Sequence, residues 1–264
     1  MTFVEKLGKE FVVTGEVEPP DGINQSFLEK ARKYKGYADA LNSTDSPMGQ
    51  TQVSSLVSSY LIKEKLGMEP IIQMCARDRN KTAITNDLLG ANLLGINNVL
   101  CLTGDYPKTG AKPVYELDAV LFAKHVSDMN RKYDNFDMKI GVGFNPMASP
   151  NEPEQIKLEK KLEYSDFVQT QPIFDLSLLE NTVIEDNKDR IIVGVMPPSS
   201  RAMLEYFNKS VPGVSYPEEI LGKVGSEDDG VQIANRLVKD IKKEGFAGVH
   251  LILFKLESRI GDIL

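Results

Sequence analysis

A chain of 264 residues with 41% apolar and 26% charged side chains has the composition of a folded globular protein with a large core, which excludes a disordered chain. Its formal net charge of −7 argues against a nucleic-acid partner or an anionic membrane surface, because both would repel it. No apolar run is long enough to span a bilayer, the opening MTFVEKLGKEF lacks the apolar core of a leader, and Cys75 and Cys101 sit in strand-like runs without metal-ligand spacing, so no membrane partner and a reducing, cytoplasmic setting are expected.

In chain order, the β-branched run 11–17 predicts a first strand, stopped by Pro19-Pro20 and carrying Glu16 and Glu18 on one face at its end. A helix over 25–35 leads to a strand over 38–43 and the polar segment Asn42-Ser43-Thr44-Asp45-Ser46-Pro47. A helix over 51–66 closes at Gly67, where a C-terminal glycine belongs, before a third strand over 70–75 and a helix over 78–94. The fourth strand, Val99 to Pro107, runs into Thr103-Gly104-Asp105, which places a carboxylate where the strand's carboxyl end meets a loop. Asp105 reads either as a functional acceptor there or as the cap of the next turn.

After a loop over 106–114 come a helix from 117 to 131, a strand over 139–144 and a helix over 152–163 with Pro153 in its first turn. A sixth strand over 166–174 contains Pro172, which marks its end or an irregularity. A helix over 176–185, a strand over 190–195, two or three helical pieces between 199 and 244, a strand over 248–254 and a short C-terminal helix complete the pattern. Eight strands alternating with helices over about 250 residues predict a single α/β domain, residues 1–264, closed as a (β/α)8 TIM-type barrel. An open doubly wound sheet is the alternative.

A barrel converges its strand ends on one mouth, which gathers Glu16, Glu18, Thr44, Gln73, Asp105, Asn145, Gln169, Gln171 and His250. This set is rich in amides and hydroxyls, which favours a ligand recognised through a hydrogen-bonding ring edge over a small sugar phosphate. A core amide without a partner is costly, so Gln171 reads as functional. Glu18 reads as solvated, His250 as a satisfied core histidine, His125 as a surface group, and Lys160 and Lys161 as part of a solvated helical face. Gly141 and Gly143 lack the rest of a dinucleotide fingerprint.

Three of these segments carry a resemblance. Glu16-Val17-Glu18-Pro19-Pro20, Leu102-Thr103-Gly104-Asp105 and Thr170-Gln171-Pro172-Ile173-Phe174-Asp175 resemble, in order and spacing, the signature segments of the methylenetetrahydrofolate reductase family, over residues 8 to 255. The resemblance implies a flavoprotein barrel that reduces 5,10-methylenetetrahydrofolate to 5-methyltetrahydrofolate by hydride transfer from reduced FAD. It implies Glu16 as the general acid, Asp105 as a catalytic residue near the flavin and pterin rings, and Gln171 as a folate contact. Thr44, Gln73, Thr103, Gly104, Asp105, Tyr115 and Lys161 fall on or near the flavin contacts. Gln73 stands where the family has a histidine, Thr103 where an arginine is common, and the last strand also departs. Electrons would come from NAD(P)H or an electron-donating protein subunit, in a homo- or hetero-oligomer. An apolar mouth beside Asp105 would raise the pKa of Glu16. The alternatives are a non-catalytic folate-binding or methyl-transfer partner subunit of a larger one-carbon complex, and a different flavin or pterin barrel.

Overall fold

The computed structural model describes residues 1–107, 109–210, 216 and 218–264. Lys108, in the expected 106–114 loop, and residues 211–215 and 217, between the expected helical pieces of 199–244, lie outside the described residues. Eight parallel strands close into a barrel in chain order, with the last paired to the first: β1 Val12–Val17, β2 Ala40–Ser43, β3 Glu69–Cys75, β4 Asn98–Leu102, β5 Lys139–Phe144, β6 Phe167–Pro172, β7 Ile191–Val195 and β8 Gly248–Leu251. The expected closed (β/α)8 architecture is the observed one.

Strand alternation sorts the side chains into an outer and an inner set. Val13, Leu41, Ile72, Val99, Ile140, Val168, Val193 and Val249 face the surrounding helices in one large core. Val12, Ala40, Ile71, Leu100, Phe167 and Ile192 turn inward and fill the amino-terminal end of the barrel. Phe3 plugs that end from below, edge-on to Phe167 with ring centroids 5.0 Å apart. Its helix, Phe3–Lys6, is started by a capping box in which Thr2 and Glu5 satisfy each other's backbone N–H groups. Gly141 belongs to this layer by necessity, because a Cβ there would lie 2.2 Å from the Phe167 ring. Phe3→Ala should empty the plug and lower stability by about 3–5 kcal/mol, read as an earlier urea midpoint; an unchanged midpoint would show that the plug contributes nothing.

Two carboxyl-end features shape the mouth. β4 stops at Leu102, short of the expected end at Pro107, because Gly104 adopts a left-handed φ of +89°. The β6–β7 register shifts between Gln169 and Pro172, where Pro172 cannot donate to the ladder; the Thr170 hydroxyl accepts from the Gly194 N–H at 2.9 Å instead. The single helix expected over 176–185 is two pieces, a 3₁₀ turn Leu176–Leu179 and a helix Thr182–Glu185, because extended Asn181 caps the second by accepting from the Ile184 N–H. Among the described residues, the 199–244 segment holds helices Arg201–Ser210, Glu218–Leu221 and Glu227–Lys243, and the chain's last helix is Ile260–Ile263. No described helix is long and apolar enough to cross a membrane.

Candidate active site

Above the apolar plug, the inward positions of five strands switch to polar groups. β1 contributes Thr14 and Glu16, β2 Asn42, β3 Gln73, β6 Gln169 and β8 His250; Thr14, Asn42, Gln73, Gln169 and His250 are buried. Buried polar groups need partners, and most of this layer finds them within itself. The Gln73 amide donates to Glu16 Oε2 at 2.7 Å, and His250 Nε2 lies 3.4 Å from the same oxygen. The other ring nitrogen, Nδ1, is 2.9 Å from the Thr14 hydroxyl. Among the described residues, Asn42 Oδ1 and Gln169 Oε1 are buried acceptors without partners.

Glu16 is the member of the layer that reaches the mouth, its side chain 22% exposed. The expectation of an apolar setting beside Asp105 is corrected here: the immediate neighbours of its carboxylate are an amide and an imidazole. His250 is a satisfied core histidine as expected, yet it also faces the carboxylate, a contact between residues 234 positions apart that no local pattern could reveal.

Asp105 stands in the loop after β4, exposed, with Oδ2 accepting from the Met48 N–H at 3.1 Å. Its loop is tied down by Arg77, a residue the sequence reading missed. Arg77 is 1% exposed and donates to the Asp105 and Ser46 carbonyls, each at 3.1 Å, while its N–H donates to the Thr103 carbonyl at 2.9 Å. Its ion pair with Asp78, at 2.6 Å, raises its pKa and keeps the guanidinium charged. Gly104 is required beside it: a Cβ would lie 2.9 Å from the Arg77 Cβ. The signal available in the sequence was the Arg77-Asp78-Arg79 run directly after an apolar strand. Arg79, half-buried, pairs with buried Asp45 at 2.6 Å, and Asp45 also accepts from the Cys75 N–H. Burial pushes the Cys75 thiol pKa well up, which leaves it a packed thiol.

The remaining expected residues divide. Thr44 is buried at the β2 end, its hydroxyl lacking a partner among the described residues, so it can serve a ligand. Tyr115, held at a positive φ of 44°, donates from its hydroxyl to the Gly104 carbonyl at 3.3 Å. Thr103 is committed to the fold: its hydroxyl accepts from the Ala119 N–H at 3.0 Å, at the start of the helix Ala119–Lys132. Two readings need correction. Gln171 is exposed, so the cost of a buried amide cannot argue for it; that argument belongs to Gln169, one pleat deeper. Lys161 is not on a solvated face but buried, donating to the Gly143 carbonyl at 2.7 Å and pairing with Glu154 at 3.3 Å. Burial lowers its pKa while Glu154 opposes the shift. His125 is half-buried and bonded to the Thr85 hydroxyl at 2.9 Å.

The comparisons with known proteins bear on the fold and the family. A 5,10-methylenetetrahydrofolate reductase from Pectobacterium carotovorum subsp. carotovorum is 25% identical across 72% of this chain, and the match spans 66% of that relative's length. A solved Clostridium thermocellum protein, described as uncharacterized and as binding two copies of 5-methyl-5,6,7,8-tetrahydrofolic acid, superposes with a TM-score of 0.69 at 16% identity, covering 98% of this chain and 96% of that one. A 2,3-dimethylmalate lyase shares the barrel more distantly, with a TM-score of 0.54 at 10% identity, over 95% of this chain and 81% of that one. The family model for methylenetetrahydrofolate reductase matches residues 4–264, which includes the three signature segments and every strand of the barrel, and the chain therefore belongs to the methylenetetrahydrofolate reductase family.

Proposed function

We propose that this chain reduces 5,10-methylenetetrahydrofolate to 5-methyltetrahydrofolate, with Glu16 as the general acid. The observation that carries the reading is the placement of Glu16: a carboxylate at the barrel mouth, one oxygen held by Gln73 and His250, on the family's barrel. Reducing the one-carbon bridge requires a hydride at carbon and a proton at the nitrogen that leaves it. Opening the C–N bond leaves its electron pair on nitrogen, which takes the proton from Glu16 as the O–H bond breaks. Asp105, fixed by the Arg77-anchored loop, lies where it can accept a hydrogen bond from a pterin edge. Exposed Gln171 offers both amide donors and an acceptor to the same ligand.

Two features of the mouth support a planar heterocyclic cofactor there. The unpartnered Thr44 hydroxyl calls for a ligand partner, and Gly104 and Tyr115 form a wall at the β4 end. Thr44, Gln73, Thr103, Gly104, Asp105, Tyr115 and Lys161 are the residues proposed to hold FAD. When bound and reduced, the flavin supplies the hydride, its electrons coming from NAD(P)H or from a partner subunit.

One observation favours a second reading, a folate-binding or methyl-transfer subunit of a one-carbon complex: Gln73, Thr103 and Lys161 each already have protein partners, which weakens the case for a tightly held flavin. Anaerobic incubation with FAD, a reductant and methylenetetrahydrofolate separates the two. Methyltetrahydrofolate formed stoichiometrically with the electrons supplied supports the reductase, whereas folate binding without product supports the subunit. In the same binding titration Gln171→Ala should weaken methyltetrahydrofolate affinity by about tenfold, equivalent to ~1.4 kcal/mol; unchanged affinity would remove Gln171 from the site.

A further inference from the structure

We propose that His250 is the positioning residue of Glu16: locked in its Nε2–H tautomer from below, it fixes one carboxyl oxygen and leaves the other to carry the transferable proton. The proposal rests on the reading of Glu16 as the acid.

The tautomer follows from the donors that surround the ring. Nδ1 faces the Thr14 hydroxyl at 2.9 Å, the Asn42 amide nitrogen at 3.4 Å and the Gln169 amide nitrogen at 3.5 Å. Amide nitrogens only donate, so Nδ1 must be the accepting nitrogen. The orientation of the Asn42 amide has independent support. The Asn42 nitrogen also faces the Gly15 carbonyl, which can only accept, at 3.5 Å, and the Gln169 nitrogen donates to Thr14 Oγ1 at 3.2 Å. With its oxygen accepting from Gln169, the Thr14 hydroxyl is free to donate to Nδ1. The ring proton then lies on Nε2 and points at Glu16 Oε2, 3.4 Å away.

The bonds run in one direction: Gln169 to Thr14, Thr14 to His250, His250 to Glu16. Gln73 adds a second N–H to Oε2 at 2.7 Å. An oxygen that accepts two N–H donors is the one less able to hold a proton. Oε1 therefore carries it, and in the step above it is the Oε1–H bond that breaks as the N–H bond forms. Water at the mouth returns a proton to the carboxylate. Within this bonded set β1 supplies Thr14 and Glu16, β2 Asn42, β3 Gln73, β6 Gln169 and β8 His250, so Glu16 and His250 are its titratable members. Fixing the carboxyl rotation removes one degree of freedom from the transfer, which is where positioning acts on rate.

The test begins with the substrate-free protein. The chain has two histidines, so ¹⁵N-histidine labelling gives two ring systems, and His250→Gln assigns them. Wild-type protein should show an unprotonated Nδ1 and a protonated Nε2 for His250, and Thr14→Val should convert this into a tautomer mixture. A proton on Nδ1 in the wild type, or no response to Thr14→Val, overturns the lock. In turnover, His250→Leu should lower kcat on the order of tenfold with the folate KM within about threefold, and His250→Gln, which retains an amide donor, should recover part of the loss. A wild-type kcat in His250→Leu, or a Gln variant no better than Leu, overturns the positioning role. A wild-type protein without turnover would count against the reductase reading, while the nuclear magnetic resonance result would still decide the lock.

Discussion

Glu16→Gln is expected to lower methylenetetrahydrofolate reduction by about 10²–10⁴-fold, the usual worth of a positioned general acid. The amide is nearly isosteric and can still accept from Gln73 and His250 through its oxygen, so the polar layer keeps its geometry and the variant should fold. What it lacks is an acidic proton for the departing nitrogen. Binding of methyltetrahydrofolate, which needs no proton transfer, should stay within about threefold of wild type, so the loss should fall on kcat. Stopped assays that quantify methyltetrahydrofolate check the first expectation and an equilibrium titration the second. Turnover within tenfold of wild type would mean that another group supplies the proton.

The second large effect is expected at Arg77. Arg77→Met retains the stem volume but deletes the buried guanidinium that ties the Ser46 and Asp105 carbonyls together. Those carbonyls lose charge-assisted donors, and Asp78, itself partly exposed, loses its partner. Leaving these part-buried acceptors without their charged donor costs about 1–3 kcal/mol each, so a total loss of roughly 2–4 kcal/mol is expected. Because the β4 loop is released, folate affinity should fall even where the variant remains folded. Urea unfolding checks the stability and a titration below the transition checks the site. A variant as stable as wild type with unchanged folate affinity would show that the loop is held by its own backbone geometry.

The barrel was legible because its strands are continuous apolar runs and its helices end at recognisable stops; Gly67 closes the helix Ser55–Leu66 in the left-handed conformation that its position predicts. The three segments at the mouth were legible through their resemblance, in order and spacing, to the family's signature segments. Depth along a strand was not. Gln169 and Gln171 share a face by alternation, yet strand tilt buries one and exposes the other. Lys161 looked solvated within its charge run, but the helix Glu152–Leu162 turns it onto the Gly143 carbonyl. Arg77 was missed because the carbonyls it serves belong to loops far away in sequence. The pairing of Glu16 with His250 depends on barrel closure, which sets β1 beside β8 and pairs Thr14 with His250.

The most direct test of the account follows flavin absorbance in anaerobic protein that has been loaded with FAD, desalted and reduced. Addition of methylenetetrahydrofolate should restore the oxidised spectrum and yield methyltetrahydrofolate in equal amount, with Glu16→Gln remaining reduced over the same interval. A protein that retains FAD but stays reduced after substrate is added, or one that retains no FAD and yields no product, would contradict the flavin-dependent reductase and turn the reading toward a folate-binding subunit.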